Sequence, residues 1–313
     1  LVPLIAAAGL AIPKTSSRSI TSPAGTADTM EVLAKVTFSI KKMKQIIEKT
    51  NGCIVWGGSL NLAPADDKII TVEKTLEIDA ESQLLASIMA KKYSVSSTHI
   101  LIDIPVGNGT KVKTRKEVLN LKKDFENIGR KLRKHVKVII TNGSQPIGNG
   151  IGPALEARDV LWLLKRDKRR PMDLEKKCIA MAYEIFSMAG IKNGKNKAAD
   201  ILNSGLAYDK MKEIIKAQQG SIFNPEKIKI GKFKYEVKAV KSGTVNKIDN
   251  RAISRIARVA GAPLNKGAGI YLHKHIKNKV KKGHKLFTIY SESRQKLDFA
   301  KEILKTTNAF IVK

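Results

Sequence analysis

The stretch "HILIDIPVG", residues 99–107, is dominated by apolar side chains and closed by a glycine, which is the pattern of a buried strand. A charged amphipathic segment over residues 114–134 predicts a helix, and "VKVIITNG", residues 136–143, predicts a second strand. Strands that alternate with helices in this way are typical of a parallel sheet covered by helices. We therefore expect an α/β fold, with a mostly parallel sheet flanked by helices.

The same alternation extends to both sides of this stretch. The predicted elements are a helix in "SIKKMKQIIEKTNG" (39–52), a strand in "CIVW" (53–56), and helices in "GPALEARDVLWLLK" (152–165) and "DLEKKCIAMAYEIFSMAG" (173–190). One helical segment, "DAESQLLASIMAKK" (79–92), interrupts the rhythm of strands. We assign it, with its surroundings at about 64–94, to part of a small helical lobe.

The composition changes at residues 219–232, where "QGSIFNPEKIKIGK" is typical of a linker. Beyond it, "KYEVKAVKSGTVNKID" (234–249) predicts a β-hairpin and "NRAISRIARVAG" (250–261) predicts a helix. We therefore expect two domains. The first is an α/β domain over residues 1–225, and the second is a compact C-terminal α+β domain over residues 232–313.

The charge of the chain favours an anionic partner. The formal net charge is +30, from 58 Lys and Arg against 28 Asp and Glu. However, the lysines are spread along the whole chain and aromatic residues make up only 5%, which does not favour a stacking groove for single-stranded nucleic acid. A lysine-rich solvated surface fits the charge as well, and so does a site for a small phosphorylated substrate.

The cysteines and histidines indicate in which compartment the protein works and whether it binds a metal. Cys53 and Cys178 lie far apart without a CxxC spacing, which argues against a disulfide framework or a structural zinc site and suits a reducing cytoplasm. The histidines show no metal-ligand spacing. The apolar run "LVPLIAAAGLAI" (1–12) is about half as long as a spanning helix. We expect a cytoplasmic protein without a metal site and without a membrane partner.

A Ser- and Thr-rich stretch, "PKTSSRSITSPAGTADTMEVL" (13–33), is the first candidate site. Sites in parallel α/β sheets lie in loops at the carboxyl ends of the strands. Here the backbone N–H groups, the hydroxyls and Arg18 could converge on an anion in front of a helix that starts near Asp28. The same residues also fit a flexible linker, or a turn in which Thr26 or Asp28 is the N-cap. Composition does not decide between these interpretations.

Two further glycine-containing loops and the helical insert offer candidates. "PVGNGTKVKTRKE" (105–117) places Lys111 at the rim of a loop, although a solvated surface lysine is the simpler interpretation. "TNGSQPIGNGIGPALEARD" (141–159) leads into a helix that carries Glu156 and Arg158. The insert offers Asp79, Ser87 and Lys91 as candidates. Ser87 and Lys91 share a helix face, and the simpler interpretation of Asp79 is a helix N-cap.

Several of these motifs, taken in order, resemble one known family. The motifs are "KTSSRSITSPAGTADTMEVL", "ASIMAKK", "DIPVGNGTKV", "GPALEARDVL", "AVKSGTV" and "AGAPLNKGAGIYLH". They resemble the thymidine phosphorylase and pyrimidine nucleoside phosphorylase family, and within it the archaeal-type AMP phosphorylase branch, over practically the whole chain. The resemblance implies a helical lobe and a larger α/β lobe that close over the substrates. It also implies a C-terminal domain and a homo-oligomer, a dimer or larger.

The resemblance also implies an activity. Members of this branch are pentosyltransferases that convert AMP and phosphate into adenine and ribose 1,5-bisphosphate in nucleotide salvage. The implied partners are thus a nucleoside monophosphate and inorganic phosphate as co-substrate, with no metal or redox cofactor and no nucleic acid.

The implied site residues follow position by position. Asp79 matches the catalytic proton donor. Lys91 stands where the pyrimidine enzymes have a base-contacting lysine, and Val72 stands where they use an arginine, which favours the monophosphate branch. The positions that match AMP- and phosphate-binding residues are Ser17, Arg18, Ser19, Ile20, Thr21, Ser22, Thr26, Ser87 and Lys111.

Two expectations concern the extent and the class of the protein. The family's Lys-x-Ser and glycine-rich phosphate motif does not occur in the chain, which does not begin with Met. We therefore expect the later part of an enzyme, inactive by itself. The alternatives are a pyrimidine nucleoside (thymidine) phosphorylase and, from another class, a basic nucleic-acid-binding protein.

Overall fold

A computed structural model of the protein describes residues 1–19, 22–60, 81–94, 96–107, 109–110, 112 and 114–313. The helices within these ranges are α1 (Val2–Ala7), α2 (Thr26–Glu31), α3 (Ile40–Thr50), α4 (Glu81–Ser94), α5 (Arg115–Lys131), α6 (Pro153–Leu164), α7 (Met172–Met188), α8 (Gly194–Asn203), α9 (Leu206–Ala217), α10 (Asn250–Val259) and α11 (Arg294–Thr306). The strands are β1 (Ile12–Ser16), β2 (Gly52–Trp56), β3 (His99–Val106), β4 (His135–Asn142), β5 (Gly150–Ile151), β6 (Phe233–Lys238), β7 (Gly243–Ile248), β8 (Gly269–Leu272), β9 (Lys279–Val280), β10 (Lys285–Ser291) and β11 (Phe310–Val312). The expected mixed α/β fold is confirmed.

The first parallel strand pair consists of β1 and β2, in register from Ile12 opposite Gly52 to Ser16 opposite Trp56. Helix α3 directly precedes β2. It begins where the Ser39 side chain accepts a hydrogen bond from the Lys42 N–H, and it ends at Asn51 in the left-handed conformation. Local capping chemistry therefore explains why the predicted helix and strand form at these positions.

The second parallel pair consists of β3 and β4, with α5 between them in the chain. A capping box between Thr114 and Glu117 starts α5. Its apolar face, with Val118, Leu121 and Phe125, is buried. The predicted strand–helix–strand unit is confirmed. Among the described residues, however, the two parallel pairs are not hydrogen-bonded into one continuous sheet.

The C-terminal region contains two antiparallel sheets, ordered β5-β8-β10-β6 and β11-β7-β9. The predicted hairpin of β6 and β7 is wrong, because these strands belong to different sheets. Ala239, which follows β6, exchanges backbone hydrogen bonds with the turn at Gly283 and His284. The chain then crosses to the other sheet, where Val245 and Ile248 enter the C-terminal core. Burial of these apolar residues takes precedence over the local turn.

The candidate stretches of residues 13–33, 105–117 and 141–159 are called the first, second and third glycine loops. The third glycine loop crosses from the α/β region into the C-terminal sheet, because β5 pairs with β8. A Cβ atom on Gly150 would lie 2.4 Å from the backbone of Leu155, and one on Gly152 (φ +116°) would lie 2.5 Å from the Ala268 oxygen. These glycines therefore permit close packing of backbone segments. In the part of the chain that is described, no helix is both long and apolar enough to cross a membrane.

Candidate active site

The described residues 17–19 and 22–25, called the loop of residues 17–25 below, follow β1 at its carboxyl end and lead into α2. Gly25 is the N-cap of α2, with an extended backbone. The Asp28 carboxylate, in the first turn of α2, accepts hydrogen bonds from the Ser19 N–H at 2.7 Å and from the Gly25 N–H at 2.9 Å. The suggestion that Thr26 or Asp28 is the N-cap is thus corrected. Asp28 acts from within the helix, and it holds the loop in shape.

Gly25 also brings the two ends of the loop together. A Cβ atom at this position would lie 2.6 Å from the Ser17 carbonyl oxygen and 2.9 Å from the Ser19 nitrogen. Only glycine allows this approach. Ser17 and Thr26, at the two ends, are both exposed, and neither hydroxyl has a hydrogen-bond partner among the described residues. Both hydroxyls are therefore available to a ligand.

The Arg18 guanidinium is bonded to side chains of the protein itself. It donates to both carboxylate oxygens of Glu31, at 2.8 and 2.6 Å, and lies 5.0 Å from the centre of a Trp56 ring. The Glu31 carboxylate also pairs with Lys266 at 2.9 Å. The hydrogen bond from Arg18 lowers the pKa of Glu31 to about 2. Arg18 thus ties the loop to α2, and its direct contact with substrate stays a prediction.

The carboxyl group of Glu156 joins the first and third glycine loops. The Thr29 hydroxyl donates to Glu156 at 2.9 Å, and the Gly152 N–H donates to its other oxygen at 3.2 Å. Desolvation by the surrounding protein raises the pKa of Glu156 to about 7. A carboxyl group that titrates near neutral pH therefore fixes α2 against the start of α6.

The second and third glycine loops both meet the start of α10. The Asn250 side-chain amide donates to the Gly143 carbonyl oxygen at 2.9 Å, and a Cβ atom on Gly109 would lie 3.2 Å from the Asn250 Cβ. A cavity of about 840 Å³ opens here, with Ser22 of the first loop, Gly109 of the second loop and one face of α10 in its walls. The three loops therefore converge beside the C-terminal region.

Five of the predicted binding residues are described, and they lie between the end of β1 and the first residue of α2: Ser17, Arg18, Ser19, Ser22 and Thr26. Ser87 and Lys91 lie on α4, with side chains outside what is described. The positions wholly outside the described residues are Ile20, Thr21, Val72, Asp79 and Lys111. The roles of all these residues stay predictions.

The chemistry of the loop suits an oxyanion. Hydroxyl groups and backbone N–H groups are donors, and phosphate oxygens accept from them. In the ranges that the structure describes, no three His, Cys, Asp or Glu side chains are grouped as a metal site requires.

The sequence pattern indicated Asp28 as a possible N-cap and placed Glu156 on a helix, but it did not indicate their contacts or the role of Glu31. Asp28 had a local signal, since an acid three residues after an N-cap is the pattern of a capping box. Glu31 and Glu156 had no such signal, because their partners Lys266 and Thr29 lie far away in the sequence. The α10 face was visible as a helix pattern, but its position beside Ser22 was not.

Comparison with known proteins agrees with this arrangement. The chain is 52% identical over 304 residues to an AMP phosphorylase of Pyrococcus abyssi, with 96% of this chain and 60% of the relative aligned. It is 51% identical over 311 residues to an AMP phosphorylase of Thermococcus kodakarensis, with 98% and 62% aligned. A putative thymidine phosphorylase of Legionella pneumophila is 47% identical over 315 residues, with 100% and 60% aligned. The chain thus spans about 60% of the length of these curated relatives.

Family comparison gives a consistent result for the two halves of the chain. Residues 244–310 match the C-terminal domain of pyrimidine nucleoside phosphorylases. Residues 1–208 match the α/β domain of a glycosyl transferase family. Together these matches confirm the family expected from the ordered motifs. The chain belongs to this glycosyl transferase family, in which the α/β domain is followed here by a pyrimidine nucleoside phosphorylase C-terminal domain.

Proposed function

We propose that this protein catalyses the phosphorolysis of AMP, in which AMP and phosphate give adenine and ribose 1,5-bisphosphate in nucleotide salvage. The observation that carries the proposal is the 52% identity to AMP phosphorylases over 96% of the chain. The geometry of the loop supports it, because exposed hydroxyls of Ser17 and Thr26 stand on a framework fixed by Asp28.

The proposed reaction is a substitution at the anomeric carbon of ribose. A phosphate oxygen forms a bond to C1′ while the glycosidic bond to the base breaks and its electron pair moves to the base. Asp79 protonates the departing base, a general-acid step that typically contributes about 10²–10⁴-fold in rate. An Asp with the ordinary pKa of about 3.9 is ionised at neutral pH. Asp79 therefore either has a raised pKa in the closed site or takes a proton from solvent before each turnover.

The loop contributes positioning. In this proposal the hydroxyl and N–H groups of residues 17–22, with Thr26, hold anionic oxygens of phosphate and nucleotide, while Ser87 and Lys111 add further contacts. Fixed donors place the nucleophile before reaction, which lowers the entropic part of the barrier. Arg18 supports this arrangement through Glu31, since a bidentate pair holds the loop close to α2.

The architecture that accompanies the function is part of the proposal. We assign α4 and its surroundings, at about 64–94, to a helical lobe, and the two parallel strand pairs to one sheet of the α/β lobe. The domains are residues 1–225 and 232–313, and the enzyme works as a homo-oligomer in the cytoplasm, with inorganic phosphate as co-substrate and no metal or redox cofactor.

The test is adenine release from AMP by the natural full-length protein, measured by chromatography with and without phosphate. We expect phosphate-dependent release, and Asp79→Asn should reduce turnover while AMP binding stays nearly intact. Full turnover in Asp79→Asn would make Asp79 a structural cap. Absence of adenine release from AMP would contradict the proposed reaction.

A pyrimidine nucleoside phosphorylase is the second candidate, favoured by the 47% identity to putative thymidine phosphorylases over the whole chain. Val72 is the opposing observation, because the resemblance assigns an arginine to this position in the pyrimidine enzymes. The same assay with thymidine and uridine decides between the two candidates. Faster phosphorolysis of thymidine than of AMP would establish the second candidate.

A further inference from the structure

Three arginines occupy one face of α10. Arg251, Arg255 and Arg258 are spaced by four and three residues, which places them on one side of a helix. The opposite side packs into the C-terminal core through Ile253 and Ile256. The three arginines are exposed, and none of their guanidinium groups is in an ion pair or hydrogen bond among the described residues. Within the described part of the chain, this face therefore carries positive charge that no ion pair compensates.

The arginine face forms a wall of the cavity that also contains Ser22 and Gly109. Lys296 of α11 adds a fourth cation. No described carboxylate lines this cavity. Leu264, which also lines the cavity, is 90% exposed and supplies an apolar surface. Four cations without a counter-ion among the described residues, beside an exposed leucine, match a ligand that combines an anionic group with an apolar one.

Two acids that are close in sequence to residues lining the cavity, Asp249 and Glu292, are bonded to other groups. Asp249, at the N-cap of α10, accepts from the backbone N–H groups of Arg251 and Ala252, both at 3.0 Å. Glu292 accepts from the Gly267 N–H at 2.6 Å. These carboxylates stabilise backbone turns, so the protein leaves the arginine face to a ligand.

The position of the arginine face is fixed relative to the loops. The Asn250 amide, at the start of α10, bonds to the Gly143 carbonyl oxygen. The second loop packs against the same residue at Gly109. These contacts place α10 beside the loops before a ligand binds, which reduces the entropic cost of holding a ligand between α10 and Ser22.

We propose that Arg251, Arg255 and Arg258 bind the phosphate monoester of the substrate nucleotide and thereby distinguish nucleoside monophosphates from nucleosides. This inference rests on the proposed function and extends its site onto the C-terminal region. The planar guanidinium fork matches phosphate oxygens in a bidentate way. Ser22 reaches the same cavity from the loop, which makes the ester of a bound nucleotide the anion that fits.

The test compares three ligands on the full chain by calorimetric titration: AMP, adenosine and inorganic phosphate. The variant is the triple change Arg251→Gln, Arg255→Gln and Arg258→Gln. Arg294→Gln is the matched control, because Arg294 is an exposed arginine on α11 that does not line the cavity. We expect AMP binding to weaken at least about tenfold in the triple variant, the loss of one charge-assisted hydrogen bond being the minimum. Adenosine and phosphate binding should stay within about twofold of the parent.

The other outcomes overturn the inference. The inference is overturned if the parent and the triple variant bind AMP with equal affinity. It is also overturned if the parent binds adenosine as tightly as AMP, or if the parent binds neither ligand. Equal weakening of inorganic phosphate would assign the face to the co-substrate instead. In a fourth titration, with a single-stranded oligonucleotide, loss of binding in the triple variant with AMP binding retained would assign the face to nucleic acid. These results concern binding, so they are distinguishable from failure of the proposed function, which is the absence of AMP phosphorolysis.

Discussion

The loop of residues 17–25 and the face of α10 both carry arginine, and they use it in opposite ways. Arg18 is bound to two oxygens of Glu31 and lies over a Trp56 ring, 5.0 Å from its centre. Arg255 has no partner among the described residues and borders a cavity without a described carboxylate. With 58 basic and 28 acidic side chains, most cations have no acid to pair with, so the distribution of the few acids decides which arginines remain free. An arginine within the loop can thus hold the framework, while the arginines that have no partner among the described residues lie far away in the sequence, on α10.

Removal of the Asp28 carboxylate should have the largest effect on stability. Asp28→Ala leaves the N–H groups of Ser19 and Gly25 without an acceptor, and the residue is 7% exposed. We expect the free energy of unfolding to fall by about 2–4 kcal/mol, measured by urea denaturation.

Asp28→Asn is the matched control for this prediction. Both N–H groups bond to the same carboxylate oxygen, and an amide oxygen in its place retains both hydrogen bonds. The loss should therefore stay below about 1 kcal/mol. Equal effects of Ala and Asn would show that the loop is not held by Asp28.

Glu156, which connects α2 to the start of α6, should make the free energy of unfolding depend on pH. Its pKa is raised to about 7 in the folded protein, against about 4.3 when unfolded, so the folded state binds more protons between these values. Stability therefore falls as pH rises from about 4.3 to 7, by at most about 3–4 kcal/mol for a shift of this size. Glu156→Gln should flatten the slope in denaturation curves at pH 5 and 8. Glu48→Gln, at an exposed position on α3, should leave it unchanged, and an unaltered slope in Glu156→Gln would contradict the assignment.

The Arg18–Glu31 pair should give a smaller coupling. A double-mutant cycle with Arg18→Gln and Glu31→Gln should yield about 0.5–1 kcal/mol at pH 7, because the Arg18 side chain is 36% exposed and solvent screens the pair. The pKa of Glu31 is lowered to about 2, so this stabilisation is complete above the unfolded value of about 4.3. It is lost as pH falls through about 2. A coupling that persists in acid below pH 2 would show that the pair is not ionic.

Arg255→Gln should have the smallest effect. Its guanidinium has no partner among the described residues, so the free energy of unfolding should change by less than about 0.5 kcal/mol in urea denaturation. The comparison with Arg18→Gln then separates a framework arginine from a ligand-facing one. Destabilisation of Arg255→Gln beyond that of Arg18→Gln would remove the distinction.

Much of the local structure could be predicted, and the failures have a common cause. The helix over residues 114–134 and its flanking strands appeared as expected, because periodicity and caps lie within a few residues of each other. The hairpin of β6 and β7 failed because each strand found its partners elsewhere in the C-terminal region. Gly150 and Gly152 resembled a ligand loop in sequence, yet they serve close packing against Leu155 and Ala268.

By itself, the sequence determined which segments form helices and strands, the excess of positive charge, and the order of motifs that identifies the family. These properties depend on neighbours in the chain. Tertiary structure alone decided that Glu31 holds both Arg18 and Lys266, and that Thr29 meets Glu156, which is 127 residues away. It also placed the arginine face of α10 beside Ser22. Ion pairs and cavity walls join residues that are distant in the chain, and only packing of the apolar cores brings them within reach.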